Sequence, residues 1–381
     1  MLPPSTIKDA AVFIYGHPRS RAVLLSLLGS LMLSKVLCQC WRYYSNKNKL
    51  KSKQAELSKK RAVVEAQLLN KDVQFYEEIL SKTAPELVEA LKNGDMFAVD
   101  VLRAYQCKAL ELTDSINCVA EFITEAEENA KALDALPDKK GLLYGVPVSI
   151  KENINIAGYE STGGVECLIG SVAKEDAVIV KLLRKHGAIP FARTNLPQTM
   201  LSYSCTNYIY GETTNPQDKT RSPGGSSGGE AAMLGGGGSV IGVGTDLGGS
   251  VRIPADFCGV YSLKLTRGRI QGKGVLTFTK GNLGILGVLG PMARDFDSLL
   301  LLSQALLSPE MIELDRSLPN LPFDPQVYEK KTPLRIGYYT FDGVLQCQPP
   351  VVRAVMEAKA ALESMGHQEV VSSRGNCSFM F

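Results

Sequence analysis

The chain has 381 residues and a nearly balanced charge, with 42 basic and 39 acidic side chains and a formal net charge of +3. This length fits one large domain or two small ones, and so small a positive excess does not indicate a nucleic-acid partner. The nine cysteines form no Cys-x-x-Cys pair and no metal-ligand spacing. The sequence therefore predicts reduced thiols, no metal and no cofactor.

An apolar stretch lies near the N-terminus. The 19 residues from Ala22 to Cys40 contain one charged side chain, Lys35. As an α-helix they would extend about 28 Å, close to the ~30 Å of a bilayer's hydrocarbon core. Three basic residues precede the stretch, whereas eight follow it between positions 42 and 61. The positive-inside rule then predicts a single-pass anchor in an intracellular membrane, with the C-terminal part facing the cytosol.

Two alternatives to a spanning anchor are a helix lying on the membrane surface and a cleaved signal peptide. No Ala-x-Ala-like cleavage site follows the apolar run, which argues against cleavage. The basic residues after it favour an anionic leaflet. We expect residues 1–61 to form the anchor and a basic juxtamembrane segment, and residues 62–381 to form the globular domain.

Patterns along residues 62–381 predict an α/β fold. Residues 62–113 show apolar positions at helical spacing, with Thr83 as a helix cap and Pro85 in the following turn. Helical and strand patterns then alternate, which predicts a mixed, twisted sheet with helices on both faces. The segments predicted after this point are a helix over 178–183 closed by Gly187, a strand over 188–191, a strand over 333–339, a helix over 353–365 and a strand from 366.

Glycine-rich serine segments carry the chemistry. Ser226 lies in Ser222-Pro-Gly-Gly-Ser-Ser-Gly-Gly229, and Ser250 ends Gly244-Thr-Asp-Leu-Gly-Gly-Ser250. Breaking an amide requires a nucleophile, a base, donors for the oxyanion and an acid for the leaving amine. None of the three histidines is near these turns, so a Ser-His-Asp site is poorly supported. Lys151, which ends an apolar strand-like run, can serve as the base if burial lowers its pKa.

Each feature also has a simpler interpretation. Lys151 could form a surface ion pair with Glu152, and Gly224–Gly229 could be a flexible linker. A helical pattern directly after the glycines argues against a linker. The glycine runs lack the spacing of a nucleotide-binding loop. The turn Leu247–Ser250 offers consecutive backbone N–H groups that can form a nest for an oxyanion, and we expect Asp246 and Arg252 to form a structural ion pair beside it.

Together these stretches resemble the amidase signature family. Further support comes from Phe257-Cys-Gly259 and Gly290-Pro-Met-Ala-Arg-Asp295, and the resemblance extends over about residues 62–371. It implies the amidase signature fold, with Lys151 as base, Ser226 as proton relay and Ser250 as nucleophile. Ser227 is the neighbouring alternative that the residues alone leave open. The resemblance also implies a substrate site lined by Met200 and an oxyanion hole formed by the amides of Leu247, Gly248, Gly249 and Ser250.

The resemblance is strongest to lipid amidases, so it implies hydrolysis of fatty-acid amides, including N-acylethanolamines and primary amides. It further implies a location at the endoplasmic reticulum membrane and a possible homodimer. Other family members act on small amides or on glutamine. The last ten residues, 372–381, depart from the family pattern, and we expect a C-terminally truncated catalytic domain. The alternative function is a catalytically silent, membrane-bound scaffold or binding protein.

Overall fold

The structure, a computed structural model, describes residues 18–68, 73–279, 281, 284–341 and 343–371. The chain divides into two compact units, Met1–Phe323 and Asp324–Phe381. The expectation about residues 372–381 lies outside the described residues.

Four helices precede the sheet and confirm the helical pattern before residue 113. They are α1 (Pro18–Gln67), α2 (Val73–Ser81), α3 (Ala84–Asn93) and α4 (Ala98–Ile116). Thr83 caps helix α3, as predicted: the Thr83 hydroxyl accepts from the Glu86 amide while the Glu86 carboxylate accepts from the Thr83 amide. This reciprocal pair satisfies two amides that the helix itself cannot satisfy.

A six-stranded mixed sheet forms the centre of the first unit. Its strands are β1 (Val119–Phe122), β2 (Pro147–Lys151), β3 (Ile189–Thr194), β6 (Ile241–Asp246), β7 (Tyr261–Ser262) and β8 (Val288–Ala293). Their order is β1-β3-β2-β6-β8-β7, with β2 parallel to β3 and β6 and the outer pairs antiparallel. Every residue of β2 and β3 is buried. Such fully buried strands are typical of the parallel part of a sheet covered by helices.

Helices pack around this sheet and complete a mixed α/β fold, as predicted. They are α5 (Ala126–Asp134), α6 (Val178–Lys185), α7 (Gly228–Gly235), α8 (Arg252–Cys258), α9 (Phe296–Leu306) and α10 (Pro309–Leu314). The predicted helix at 178–183 is α6, and Gly187 follows its cap residue with a left-handed φ of +81°. A small hairpin, β4 (Thr206–Asn207) and β5 (Gly211–Glu212), lies between β3 and α7.

The second unit is a small β-α-β arrangement after a short helix, α11 (Pro325–Tyr328). Strands β9 (Arg335–Tyr338) and β10 (Gln368–Val371) pair in parallel and are connected through α12 (Pro349–Ser364). These elements confirm the predicted strand, helix and strand, although α12 begins at Pro349 rather than near 353. Proline is well suited to that first helical turn, where no intrahelical bond to its nitrogen is needed.

Helix α1 has two parts with different surroundings. Its N-terminal part is long and apolar enough to cross a membrane, with a mean hydropathy of 1.8 in an 18-residue window that is entirely unburied. Its C-terminal part packs on the globular body, where Leu50 and Leu57 contact a small cluster that contains Ile209 and Tyr210. The boundary that we predict after residue 61 falls inside this continuous helix.

A buried charge network fastens the same part of α1 to the sheet. The Lys53 side chain is 1% exposed, and its Nζ lies 3.1 Å from Glu121 and 3.4 Å from Glu160. Lys60 lies 2.6 Å from Glu121, and Arg193 reaches the other Glu121 oxygen at 3.3 Å. Burial raises the pKa of Glu121, but the three cations outweigh burial and hold that pKa below its usual value. At least two of the basic residues that follow the apolar stretch therefore pair with the protein's own carboxylates.

We expect Lys53→Met to lower the free energy of unfolding by about 2–3 kcal/mol, because it removes one cation from a buried carboxylate cluster that keeps Lys60 and Arg193. Urea denaturation of the detergent-solubilised chain measures this loss. The matched control is Lys59→Met, since Lys59 is exposed on the same helix and should change stability by less than about 0.5 kcal/mol. Equal effects of the two substitutions would show that the buried network does not stabilise the helix on the body.

Candidate active site

Lys151 lies at the C-terminal end of β2 and is completely buried. Its Nζ donates to the Ser226 Oγ at 2.7 Å and to the Thr245 Oγ1 at 3.0 Å. Thr245 lies on β6, which pairs in parallel with β2. The structure thus brings together two residues that are 75 positions apart in the sequence.

Burial gives this lysine an unusual protonation equilibrium. It lowers the pKa of Lys151 to about 7, although Cys205, Asp246, Glu230 and Glu152 act in the opposite direction. Removing water penalises the ammonium form because nothing replaces its full hydration. A substantial neutral fraction of Lys151 is therefore available near neutral pH to accept a proton.

The two adjacent serines have different partners. Ser226 faces Lys151, whereas the Ser227 Oγ lies 3.3 Å from both the carbonyl and the amide of Thr245. The Ser227 amide donates to the Ser250 carbonyl at 3.0 Å, which joins this segment to the second serine turn. Helix α7 begins directly afterwards at Gly228. Ser227 thus connects its segment to the backbone of Thr245 and Ser250, whereas the hydroxyl next to Lys151 belongs to Ser226.

Asp246 organises the turn that ends at Ser250. Its carboxylate accepts from the Gly249 amide at 2.8 Å and from the Val251 amide at 3.1 Å, and it forms an ion pair with Arg252 at 3.0 Å. The predicted structural ion pair is confirmed. Burial raises the pKa of Asp246, but the Arg252 guanidinium and the two amides outweigh burial and hold the pKa below its usual value. The carboxylate is therefore ionised at neutral pH.

The predicted oxyanion donors are not equivalent in this arrangement. The Gly249 amide is directed to Asp246, and Gly249 has a φ of +116°, which a glycine adopts without strain. Among the hydrogen bonds of the described residues, none uses the amides of Leu247, Gly248 or Ser250. Those three amides remain for an oxygen atom in the adjoining space.

That space is a cavity of about 560 Å³. Ser226, Ser250, Leu247, Gly248 and Met200 all line it, so the structure gathers most of the expected site residues around one volume. Lys151 is not among the lining residues and is reached through Ser226. Another wall comes from the segment before β8 and from the first two residues of β8, and it is largely apolar. Its main side chains are Val275, Leu276, Phe278, Leu286, Val288 and Leu289.

Glu152, next to the lysine, is not the surface partner that one interpretation of the sequence suggested. Its side chain is buried and accepts from the Thr162 amide and hydroxyl at 2.6 and 2.7 Å and from the Gly163 amide at 2.9 Å. The Gly163 carbonyl in turn accepts from the Thr199 amide at 2.8 Å, next to Met200. That interpretation is wrong, since Glu152 supports the cavity wall instead of neutralising Lys151 at a surface.

Sequence reasoning also missed the apolar wall and Thr245. Asn153, two residues after Lys151, holds Leu276 through its carbonyl at 2.8 Å and its side-chain amide at 3.1 Å. Phe278 packs over Gly163, where a side chain would collide with its ring. The alternation of Leu276 and Phe278 with Thr277 and Thr279 was a weak signal for this segment, but nothing local indicated which part of the sheet it would contact.

Fold and site together define an α/β protein with a buried lysine beside a pair of serine turns. The chain belongs to the amidase family, whose pattern matches residues 100–380. This confirms the family that the serine and lysine segments indicated.

Individual relatives agree with this assignment. The chain is 47% identical over 289 residues to vitamin D3 hydroxylase-associated protein from Gallus gallus, covering 76% of this chain and 62% of the relative. It is 43% identical to fatty-acid amide hydrolase 1 from Sus scrofa, covering 76% of this chain and 50% of the relative. A solved structure of fatty acid amide hydrolase superposes with a TM-score of 0.76 at 27% identity, covering 86% of this chain and 63% of that one. The chain thus spans half to two thirds of the length of these relatives.

Proposed function

We propose that this chain is a serine amidase in which Lys151, Ser226 and Ser250 carry the reaction. The observation that supports this most directly is the 2.7 Å hydrogen bond between buried Lys151 and Ser226, at a cavity that Ser250 also lines. A lysine whose pKa is about 7 can accept a proton through Ser226 at neutral pH. Membership of the amidase family and the two relatives named fatty-acid amide hydrolase agree with amide hydrolysis.

The reaction follows from these positions. Neutral Lys151 accepts the Ser226 proton while Ser226 accepts the proton of Ser250, and the Ser250 oxygen attacks the amide carbonyl. The resulting oxyanion takes hydrogen bonds from the amides of Leu247, Gly248 and Ser250, while Asp246 fixes the turn through Gly249. The relay then runs backwards: the leaving nitrogen gains the proton, the C–N bond breaks and an acyl ester remains on Ser250. Water cleaves that ester by the same relay and releases the carboxylic acid.

For the substrate we infer a fatty-acid amide, such as an N-acylethanolamine or a primary fatty amide. The cavity wall of Leu276, Phe278 and neighbouring aliphatic side chains suits an acyl chain, because burying each methylene group contributes about 0.8 kcal/mol. Two relatives, both fatty-acid amide hydrolases, point to the same substrate class.

The reaction is tested with a fluorophosphonate, which a nucleophilic serine attacks at phosphorus with loss of fluoride. We expect wild-type labelling that disappears in Ser250→Ala and slows at least about 100-fold in Lys151→Ala, because the relay then has no base. The wild-type rate should rise with pH through about 7, as Lys151 loses its proton. The labelling rate constant is measured by gel fluorescence against pH.

Ser226→Ala and Ser227→Ala form the matched pair for this experiment. The first should slow labelling strongly because it breaks the link between Lys151 and Ser250. The second removes a hydroxyl bound to the Thr245 backbone, so it should retain labelling with some loss of stability. Absence of labelling in a folded wild-type chain would contradict the proposal and favour the alternative function, a silent membrane-bound scaffold. Labelling that persists in Ser250→Ala would assign the nucleophile elsewhere.

Substrate class is tested by Phe278→Ala. We expect kcat/KM for a long-chain primary amide to fall about tenfold, equivalent to about 1.4 kcal/mol of lost apolar contact, while kcat/KM for a two-carbon amide changes little. The control is Phe296→Ala, since Phe296 is exposed on α9 and is not a cavity residue. Equal losses for long and short amides would show that Phe278 does not contact an acyl chain.

We also propose that the apolar part of α1 inserts into a membrane. The side chains of Leu25, Leu28 and Met32 are 68%, 44% and 67% exposed. A run of exposed apolar side chains is unfavourable in water, so this part of the helix requires an apolar environment. Changing all three to glutamine should move the chain from the membrane pellet towards the soluble fraction after alkaline extraction, because polar side chains disfavour insertion.

The matched control for membrane insertion changes three exposed apolar residues outside the apolar part of α1 to glutamine, namely Val63, Phe97 and Leu136. This triple variant should stay in the membrane fraction, and equal release of both variants would contradict insertion through α1. Placement at the endoplasmic reticulum, the cytosolic orientation and a homodimer stay predictions, as does the division into 1–61 and 62–381.

A further inference from the structure

Glu230 is a buried carboxylic acid that the proposed reaction does not use. It is the third residue of α7, the helix that begins directly after Ser226 and Ser227, and it is fully buried. One carboxylate oxygen accepts from the Ser149 hydroxyl in a short hydrogen bond, and the other accepts from the Thr194 hydroxyl at 2.6 Å. Burying a carboxylate costs free energy because the group loses its hydration, so the position of Glu230 requires an explanation.

Both hydroxyl partners lie beside Lys151. Ser149 is two residues earlier on β2, so it lies on the same face of the strand. Thr194 is the residue of β3 that pairs directly with Lys151 in the sheet. Glu230 therefore joins the two strands around the lysine to the helix that follows Ser226.

The neighbouring strand is shaped around this carboxylate. Gly242 on β6 pairs with Ser149, and a side chain at Gly242 would overlap the Glu230 Oε1. A glycine is therefore required at this buried position of β6, although glycine weakens strands. The sheet thus reserves space for one acidic side chain next to Lys151.

From this geometry we propose that Glu230 is a positioning residue that compensates the charge of Lys151: its carboxylate stabilises the ammonium formed when Lys151 accepts the Ser226 proton. This inference rests on the proposed function. No step passes through Glu230 itself, and it acts only through Lys151. The Ser149 hydroxyl also has the Ile241 carbonyl at 3.4 Å as an alternative acceptor, so it can turn when the charge on Glu230 changes.

Glu230 differs from the other two carboxylates near Lys151 in its hydrogen-bond and ion-pair partners. Asp246 is paired with Arg252, and Glu152 is occupied by amide and hydroxyl donors of the 162–163 loop and by the Tyr210 hydroxyl at 3.1 Å. Within the described residues, Glu230 has two hydroxyl donors and no ion-pair partner in contact.

The two thiols near Lys151 and Glu230 remain neutral at pH 7. Burial raises the pKa of the Cys118 thiol, which interacts electrostatically with Glu230, to about 12, and that of the Cys205 thiol, which interacts with Lys151, to about 11. Burial also raises the pKa of Glu230 to about 7, with Ser149, Thr194 and Lys151 acting in the opposite direction. Lys151 and Glu230 therefore titrate over the same pH range, and the charge of each affects the pKa of the other.

The test compares the pH dependence of fluorophosphonate labelling in wild type, Glu230→Gln and Glu230→Asp. A nearby carboxylate stabilises the ammonium and raises the pKa of Lys151, so its removal lowers that pKa. The labelling rate constant rises with pH as Lys151 loses its proton, and we call this rise the acid limb. In Glu230→Gln we expect the acid limb to move to lower pH by about one unit, with a plateau rate about tenfold lower. Glu230→Asp retains the charge, so its limb should stay at the wild-type position even if its rate falls.

The buried glutamate of α5 provides the matched control. Glu127 pairs with Arg103 and Lys131, and Glu127→Gln should leave the limb unchanged. If Glu230→Gln does not fold, Thr194→Val replaces it: loss of that hydroxyl raises the pKa of Glu230, so the limb should move in the same direction by less. An unmoved limb in a folded, labelling Glu230→Gln or Thr194→Val variant overturns this inference and leaves the proposed function intact. A wild type that does not label overturns the proposed function itself.

Discussion

The burial of one lysine amine is the constraint on which the site depends. A buried amine remains neutral near pH 7 only if it is held away from water and if no neighbouring negative charge fully stabilises its ammonium form. The sheet meets this requirement by ending β2 at Lys151 between two parallel neighbours, with the Ser226 and Thr245 hydroxyls as its partners. Without that enclosure the amine would stay protonated, and the hydrogen bond to Ser226 would have no chemical use.

Three carboxylates surround this amine, and each holds a different part of the structure. Glu152 supports the loop beneath Met200, Asp246 fixes the turn before Ser250, and Glu230 connects α7 to β2 and β3. Because each carboxylate has its own donors, their negative charge is only partly available to stabilise an ammonium on Lys151. The site thus combines acidic groups that define its shape with an amine that can remain neutral.

Local sequence patterns predicted much of the fold and the chemical elements of the site. The Thr83 cap, the helix at 178–185 and the ion pair between Asp246 and Arg252 depend on neighbouring residues, so a short window of sequence contains their causes. The family pattern indicated Lys151 and the serines before their proximity was known. The alternative that paired Lys151 with Glu152 at a surface was wrong, because the donors to Glu152 lie ten residues further on and only the folded loop brings them near. The apolar wall and the contact of Lys53 with Glu121 depend on pairings between distant segments, which no local pattern contains.

The continuity of helix α1 fixes the direction in which the cavity faces relative to the apolar part of that helix. Lys53 and Lys60 hold its C-terminal part against β1, while the same uninterrupted helix carries the apolar residues before position 41. Each residue of a helix turns the chain by about 100° and advances it by about 1.5 Å. The number of residues between the apolar part and Leu50 therefore sets the direction in which the cavity beside Ser226 and Ser250 faces around the helix axis. A single inserted residue there would leave every contact of the globular body intact and turn its cavity by more than a quarter of a circle.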